Sequence, residues 1–470
     1  MLLLFCIYKI IAMTYLIEGR GTLVKVVIIG ASHGGLQAAL TLKKLNSQTE
    51  VLLVEKRSEV SFVSSGIVLK MNKMVDELNK VRYLTSEELD NKGVDVLLNA
   101  TVTTINPKKK IILYEDVQGK HHEVSYDKLI LATGSNQFST NMTLPSKDKV
   151  TVFKSYSSSV EVLEKLEKAK SISIIGGGYI GVELCDALKG QGKEVHLIES
   201  ADSVLFRYLG KEISSIIEQK IKDSGAFLHL NESVIGFSDI DEEMFITKTT
   251  NEEIRNDYVI VAVNARPDTS LVKDFLDLNT NGTIRVNEQM QTSDPDIFAL
   301  GDVISYPVRN SYRKSFIPLV NNVVRSATVA AMNVLGHSMK YNMTQKTTAT
   351  KIFDSYVAST GLTEEEAKFE GIEVEGIFLT LPCQLPYLEL QEDVHIKLVF
   401  EKGSHKLIGG QLMSEKDITQ SINTLSLAID KETTLEELVT MDFYFNPAIN
   451  QPMGIISRAA YEFLIEKYKV

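Results

Sequence analysis

Two glycine-rich turns carry the residue types best suited to hold a phosphate. The first is residues 30–35, GASHGG, and the second is residues 176–181, GGGYIG. Glycine allows a sharp turn and close backbone approach, and a helix that begins there offers free N–H groups to a pyrophosphate. An acid follows each turn, because Glu55 comes 25 residues after Gly30 and Glu199 comes 23 residues after Gly176. A carboxylate at that distance can accept hydrogen bonds from ribose hydroxyls, so each segment has the groups to hold a dinucleotide.

The elements around each turn must place it at the end of a parallel strand. Residues 24–30, VKVVIIG, form an apolar β-branched run, followed by the helical pattern LQAALTLKKL and a second strand, VLLVEK, that reaches Glu55. The same order recurs in residues 171–175, SISII, the helical pattern VELCDALKG and the strand EVHLIES, which reaches Glu199. The first turn has Ser32 at the second glycine position, whereas the second turn is a full G-x-G-x-x-G. Two such units predict two bound dinucleotides.

Composition places the chain among packed, multidomain proteins. Its 470 residues exceed one hydrophobic core, and 44% hydrophobic and 24% charged residues are ordinary for a globular enzyme. The net charge of −11, with no segregated basic face, argues against nucleic acid as a partner. Three distant cysteines without metal-ligand spacing predict no metal site and a cytoplasmic location.

Residues 1–23 differ in character from the rest of the chain, since they are apolar but interrupted by Lys9 and Glu18. They are short for a membrane span and have no evident cleavage site. We interpret them as an over-extended start or an added leader, with a signal anchor as the alternative. Membrane association is not expected.

Further motifs carry a family resemblance. They are residues 61–67, SFVSSGI; 126–134, YDKLILATG; 262–267, AVNARP; 292–302, TSDPDIFALGD; and 441–454, MDFYFNPAINQPMG. Across residues 24–470 the chain resembles the pyridine nucleotide-disulfide oxidoreductase family, in its NADH peroxidase, NADH oxidase and coenzyme A disulfide reductase branch. The resemblance implies that the first fold binds FAD, that an inserted fold binds NAD(P)H, and that a C-terminal domain pairs subunits.

The implied fold class is α/β, with two Rossmann-like dinucleotide-binding domains, for FAD and NAD, plus a C-terminal α+β dimerisation domain. The expected domains are a two-part FAD-binding domain at 24–150 and 269–340, an NAD(P)H-binding domain at 151–268, and a dimerisation domain at 341–470. The aromatic segment 441–454 resembles the dimer contact of this branch, so a homodimer or homotetramer is expected.

Cofactor contacts are carried over position by position. For FAD, the expected residues are Gly30, Ser32, His33, Gly34, Gly35, Glu55, Lys56, Ala132, Thr133, Gly134, Asp302, Pro318, Leu319 and Val320. For NAD, they are Gly176, Gly178, Tyr179, Ile180, Gly181, Glu199, Tyr208 and Asn264. Asn264 stands where the family usually has glycine, which predicts altered binding. Glu199, with no arginine beside it for a 2′-phosphate, favours NADH over NADPH.

The catalytic candidates are Ser65 and His33. The family has a redox-active cysteine at the position of Ser65, and a hydroxyl is far less acidic than a thiol and forms no stable oxidised intermediate. His33 can act as a proton donor or charge stabiliser near a reducible oxygen species. The alternative for His33 is a hydrogen-bonded histidine at a helix N-terminus.

The function expected from these residues is an FAD-dependent NADH oxidase that passes a hydride from NADH to FAD and then electrons to oxygen, giving hydrogen peroxide. Its partners are NADH and oxygen or another small electron acceptor. Three alternatives stay open: an NADH:quinone reductase, which rests on the apolar leader; a disulfide reductase; and a catalytically weak NADH-binding sensor or partner-binding protein.

Overall fold

The structure is a computed structural model that describes residues 24–137, 150–151, 155–241, 244–263, 265–388 and 392–469. The apolar leader, residues 1–23, and the predicted NAD contact Asn264 lie outside the described residues.

The strands are β1 (Lys25–Ile29), β2 (Glu50–Val54), β3 (Val94–Leu97), β4 (Thr101–Asn106), β5 (Ile111–Glu115), β6 (His121–Ser125), β7 (Lys128–Leu131), β8 (Ser135–Gln137), β9 (Val150–Thr151), β10 (Ser171–Ile175), β11 (Glu194–Glu199), β12 (Phe227–Leu230), β13 (Val234–Asp239), β14 (Phe245–Thr249), β15 (Glu253–Asn256), β16 (Tyr258–Val261), β17 (Ala265–Pro267), β18 (Ile297–Ala299), β19 (Tyr306–Pro307), β20 (Lys314–Ser315), β21 (Thr348–Ile352), β22 (Ser355–Gly361), β23 (Val374–Pro382), β24 (Asp393–Glu401) and β25 (Leu407–Ser414).

The α-helices are α1 (His33–Leu45), α2 (Gly66–Met71), α3 (Ser86–Asp90), α4 (Tyr156–Lys168), α5 (Tyr179–Gly190), α6 (Lys211–Asp223), α7 (Val320–Val334), α8 (Glu364–Phe369), α9 (Ser421–Asp430), α10 (Leu435–Thr440) and α11 (Ile455–Tyr468). Short 3₁₀ turns occupy Leu78–Lys80 and Gly301–Val303.

A parallel sheet in the order β18-β7-β1-β2-β3 organises the first domain. Strand β1 is central because its β-branched residues are buried almost throughout, as a strand covered on both faces requires. Helix α1 follows it directly, and its apolar residues pack with the sheet in one continuous core. The glycine turn 30–35 therefore lies at the carboxyl end of the central strand, where parallel sheets bind ligands.

The second domain repeats this plan with the strand order β12-β11-β10-β16-β9, again parallel. Strand β10 takes the place of β1, and helix α5 follows it as α1 follows β1. A three-stranded antiparallel sheet also recurs, β4-β5-β6 in the first domain and β13-β14-β15 in the second. The predicted pair of dinucleotide folds is confirmed in its architecture.

The second domain is inserted into the first. Strand β18 joins the first sheet beside β7 although it follows the whole second domain in sequence. The chain crosses between the domains through an antiparallel ribbon, β8 with β17. This ribbon brings residues near 135 and 267 together, close to the ends of both central strands.

The C-terminal domain is a five-stranded antiparallel sheet in the order β21-β22-β25-β24-β23. Helices α9, α10 and α11 pack on it around a core of their own. Segment 441–454 leaves Tyr444 and Phe445 exposed by 70% and 48%. Across the described ranges, no helix combines the length and apolarity that a membrane crossing requires.

Candidate active site

The first glycine turn is shaped by two close contacts. Gly30 has a φ of +105°, and a Cβ on it would lie 2.3 Å from the carbonyl oxygen of Ala132. A Cβ on Gly35 would lie 1.8 Å from the Gly30 carbonyl oxygen. Gly35 is therefore needed because α1 packs directly against the end of β1. A Cβ added to Gly34 would lie 2.5 Å from the Leu300 side chain and 2.9 Å from the Val323 side chain, so glycine is needed there to leave room for both.

Glu55 lies just beyond the end of β2 and is 6% exposed. Its carboxylate accepts hydrogen bonds from the backbone N–H of Ala31 at 2.9 Å and of Arg57 at 3.0 Å. These bonds fix the carboxylate beside the glycine turn while leaving lone pairs on both oxygens. It is thus held ready to accept ribose hydroxyls.

The second turn reproduces this geometry. Gly176 has a φ of +114°, and a Cβ on Gly181 would again lie 1.8 Å from the Gly176 carbonyl oxygen. Glu199 accepts hydrogen bonds from the N–H groups of Gly177 at 2.7 Å and Ala201 at 2.8 Å. Residues 30–55 and 176–199 thus each hold a glutamate carboxylate beside a glycine turn in the same way.

Space for a ligand is visible at the start of α5. Gly178 is the N-cap of that helix, and among the described residues no atom beyond its own chain neighbours lies within 4 Å of the place where its Cβ would stand. Ile180 is 41% exposed beside it. Open space at a helix N-terminus suits a pyrophosphate, since the first N–H groups of a helix lack intrahelical acceptors. The residues present fit the predicted dinucleotide.

Tyr179 and Tyr208 form an aromatic pair next to this turn, with ring centroids 4.8 Å apart. Burial raises the pKa of both hydroxyls above the ordinary tyrosine value, so both are neutral. The guanidinium of Arg207 lies over the Phe206 ring, 5.6 Å from its centroid. The two tyrosines are neutral and the Arg207 guanidinium lies over Phe206. Among the described residues, neither therefore places a positive charge beside the Glu199 carboxylate.

The turn at Thr133 and Gly134 is tied to the interdomain crossing. Thr133 Oγ1 donates to the carbonyl of Asp268 at 2.7 Å, and the N–H of Asp268 donates to the carbonyl of Gly134 at 3.0 Å. Lys56 forms a 3.8 Å ion pair with the Asp268 carboxylate. Asp268 thus connects three predicted FAD residues, a position that the motifs did not indicate.

Asp302 lies in the 3₁₀ turn after β18, where its carboxylate accepts a hydrogen bond from Ser135 Oγ at 2.9 Å. Pro318 and Leu319 immediately precede α7, which begins at Val320. Helix α7 packs on α1, so Asp302, the α7 N-terminus and the first glycine turn surround one region. This is the arrangement expected of a two-part FAD-binding domain.

Ser65 is exposed and is the N-cap of α2, without a hydrogen bond from its side chain to the helix. Gly66 is required next to it because a Cβ there would lie 2.2 Å from Val81. The segment is connected to the glycine turn through the Ser61 N–H, which donates to the Ala31 carbonyl at 3.0 Å. Ser61 has a φ of 60°, a strained conformation for a buried serine.

His33 begins α1 and faces the same region. Its ring makes an edge contact with Tyr83, with centroids 5.2 Å apart. Burial lowers the pKa of His33 below its usual value, and the charge of Asp302 opposes that shift. Its Nδ1 is buried and has no hydrogen-bond partner among the residues that the structure describes. An unpartnered ring nitrogen beside the glycine turn favours the predicted functional role over a structural one.

The cysteines within the described ranges are not placed for redox chemistry. Cys185 is fully buried on α5, as expected, and burial raises the pKa of its thiol to about 12. Cys383 is also buried, and its pKa is raised by the same cause. Both thiols therefore stay protonated and unreactive near neutral pH.

Comparison with known proteins gives consistent matches. A family profile described as pyridine nucleotide-disulphide oxidoreductase matches residues 24–333, and the profile of its dimerisation domain matches residues 347–454. An NADH oxidase of Enterococcus faecalis is 37% identical over 444 residues, covering 93% of this chain and 99% of the relative.

Two solved structures align closely. A water-forming NADH oxidase from Lactobacillus brevis bound to NADH has a TM-score of 0.91 and 31% identity, covering 94% of this chain and 98% of that one. An engineered water-forming NADPH oxidase, made from the same enzyme and bound to NADPH, aligns with the same score, identity and coverage.

Proposed function

Because this chain belongs to the pyridine nucleotide-disulphide oxidoreductase family, and is therefore an enzyme that uses FAD and NADH, we propose that it is an NADH oxidase that forms hydrogen peroxide. The overall reaction is NADH + H⁺ + O₂ → NAD⁺ + H₂O₂. Bound FAD supplies the two-electron chemistry between NADH and oxygen. The residues of the chain bind, orient and protonate.

Ser65 is the observation that carries the choice of product. It stands where the family has a redox-active cysteine, and the described cysteines, Cys185 and Cys383, are buried with raised thiol pKa values. Reduction of peroxide to water in this branch passes through a thiolate that becomes a sulfenic acid. The Ser65 hydroxyl forms no such intermediate, so peroxide is released. The Lactobacillus brevis relative is water-forming, and this chain differs from it in product.

Binding of each dinucleotide is assigned to one turn and its acid. The turn at residues 30–35 with Glu55 holds FAD, assisted by Thr133, Gly134 and Asp302. The turn at residues 176–181 with Glu199 holds NADH. Support comes from the matching pairs of backbone hydrogen bonds that orient Glu55 and Glu199.

His33 acts at the oxygen-reducing face of the site. Reduction of oxygen develops negative charge, which a nearby imidazole stabilises or protonates. Since burial lowers the His33 pKa, the ring is neutral at neutral pH and becomes charged only in acid. The oxidase rate is expected to rise as pH falls through that lowered pKa.

The functional unit is proposed to be a dimer formed by the C-terminal domains. The exposed Tyr444 and Phe445 and the match to a dimerisation domain support this. Covering such aromatic surface is favourable because it removes apolar area from water.

The decisive experiment is to measure hydrogen peroxide formed per NADH oxidised in air. The wild-type protein should give a ratio close to one. Ser65→Cys should lower the ratio well below one or add NADH peroxidase activity, while the matched control Ser64→Cys, one residue away, should not. A wild-type protein that forms water, or that reduces peroxide efficiently, would overturn the assignment of Ser65, and an absence of turnover with oxygen would indicate a sensor.

A further inference from the structure

A cluster of histidine and glutamate side chains lies at the edge of the second parallel sheet, and no part of the proposed function uses it. His229 is on the edge strand β12 and Glu232 follows that strand, while Glu252 is in the turn between β14 and β15. His229 Nδ1 lies 2.9 Å from Glu252 Oε1 and 3.7 Å from Glu232 Oε1. All three ligand atoms lie within 4.8 Å of one another.

A single ion pair accounts for only two of these three side chains. His229 Nδ1 carries at most one proton, and that proton can serve the nearer Glu252. Glu232 is only 8% exposed, and its Oε1 faces the same nitrogen at 3.7 Å. A cation accepts lone pairs from all three atoms at once. Two ligands about 2.1 Å from one ion lie about 3–3.5 Å apart, which these separations approach.

Neighbouring groups orient the proposed ligands. Thr249 Oγ1 donates to Glu232 Oε2 at 2.6 Å, which directs Oε1 of the same carboxylate toward His229. His229 Nε2 lies 3.0 Å from Nδ1 of His196, whose Nε2 lies 3.5 Å from Glu194 Oε1. When Nδ1 of His229 binds a metal, the proton of His229 is on Nε2, and this N–H donates to Nδ1 of His196. The Nε2–H of His196 then donates to the Glu194 carboxylate.

This relay of imidazoles ending in a carboxylate is typical of metal sites, where the second nitrogen of a ligating histidine is hydrogen-bonded. Glu252 is about half exposed, at 52% for its side chain, and leaves a path for an ion to enter.

We propose that His229, Glu232 and Glu252 bind a divalent transition-metal ion of the Zn²⁺ type, with water completing the coordination. One nitrogen and two carboxylate oxygens suit such an ion. The ion would join the β14–β15 turn to the end of β12. The Glu232 N–H donates to the Glu199 carbonyl at 3.0 Å, so the site also supports the strand end that carries Glu199.

The test is calorimetric titration of Zn²⁺ into the FAD-loaded, tag-free protein after removal of metals by a chelator. The expected result is one saturable site per chain at micromolar zinc, with a higher melting temperature. Glu252→Gln should weaken binding at least tenfold and abolish the melting shift. The control Glu253→Gln removes an adjacent exposed carboxylate, which pairs with Lys248 at 3.3 Å, and should behave as wild type.

Cobalt adds a readout independent of stability, because Co²⁺ in a site of low coordination number absorbs visible light. These bands should appear with wild type and Glu253→Gln and be absent with Glu252→Gln. If no saturable zinc site is found, or if Glu252→Gln binds zinc as tightly as wild type, the cluster is only a network of ion pairs and the proposal is wrong. Neither outcome depends on oxidase activity.

Discussion

Replacement of Glu199 by glutamine tests the most constrained side chain of the proposed NADH site. The carboxylate accepts hydrogen bonds from two backbone N–H groups, of Gly177 and Ala201, one on each oxygen. An amide has only one oxygen, so in either orientation its NH₂ faces a backbone N–H donor, either the buried one of Gly177 or the partly buried one of Ala201. Leaving such a donor unsatisfied costs about 1–3 kcal/mol, so the free energy of unfolding should fall by that amount.

The same change should alter the choice between nicotinamide dinucleotides. A 2′-phosphate beside Glu199 is repelled by the carboxylate, whereas ribose hydroxyls donate to it. Loss of the negative charge should narrow the preference for NADH by a factor of about ten, or about 1.4 kcal/mol. The engineered NADPH oxidase that aligns with this chain was obtained by substitution of an NADH oxidase, so such a switch is accessible to the fold.

The assay is stopped-flow reduction of the flavin by NADH and by NADPH, with urea unfolding measured on the same samples. Asp202→Asn is the control. It removes one negative charge three residues from Glu199, from an exposed carboxylate that pairs with the exposed Lys211 and accepts a hydrogen bond from Ser203 Oγ outside the glycine turn. Faster reduction of the wild type by NADPH, or equal effects of the two substitutions on selectivity, would refute the role of Glu199.

Two other substitutions test the close packing at Gly30 and the burial of the Glu183 carboxyl group. Gly30→Ala should lower the free energy of unfolding by about 2–4 kcal/mol and reduce FAD content, because the residue has a positive φ and its new Cβ would clash with the Ala132 carbonyl. Gly192→Ala is the control, since Gly192 also has a positive φ but, in the part of the chain that the structure describes, no close neighbour around its Cβ position. Chemical denaturation should show a loss of only about 1 kcal/mol for Gly192→Ala. Burial raises the folded-state pKa of Glu183, so its charge destabilises the protein as pH rises above the unfolded value near 4.5. Glu183→Gln, which keeps an acceptor for Thr350, should raise the melting temperature at pH 7 and by less at pH 4.5; an equal shift at both would contradict the reasoning.

Local pattern was sufficient to predict the two nucleotide-binding units. The strand at 171–175 coincides with β10, and the predicted strand at 24–30 contains β1. Glu55 and Glu199 lie at the strand ends where their spacing from the turns placed them. These features are short-range consequences of β-branched runs, glycine turns and helical periodicity, so sequence determines them without knowledge of the rest of the fold.

Packing decided what each small residue does. The glycine pattern predicted a sharp turn and close backbone approach, and the structure adds that contact with the Gly30 carbonyl requires glycine at position 35. The edge contact of His33 with Tyr83 and the bridging position of Asp268 also have no local signal. They depend on segments 50 to 212 residues apart that meet only after the domains fold.

The proposed metal site shows the same difference between what local sequence indicates and what the tertiary structure decides. No spacing in the sequence relates His229 to Glu252, and the spacing of the cysteines predicted no metal site at all. Residues 229 and 252 come together because β12 lies at the sheet edge beside the antiparallel β13-β14-β15 unit, whose turn carries Glu252 to it. Sequence alone determined the strands, the turns and the acids beside them. Only the tertiary structure decided which distant side chains share a site, because such proximity is set by sheet order and domain insertion rather than by neighbours along the chain.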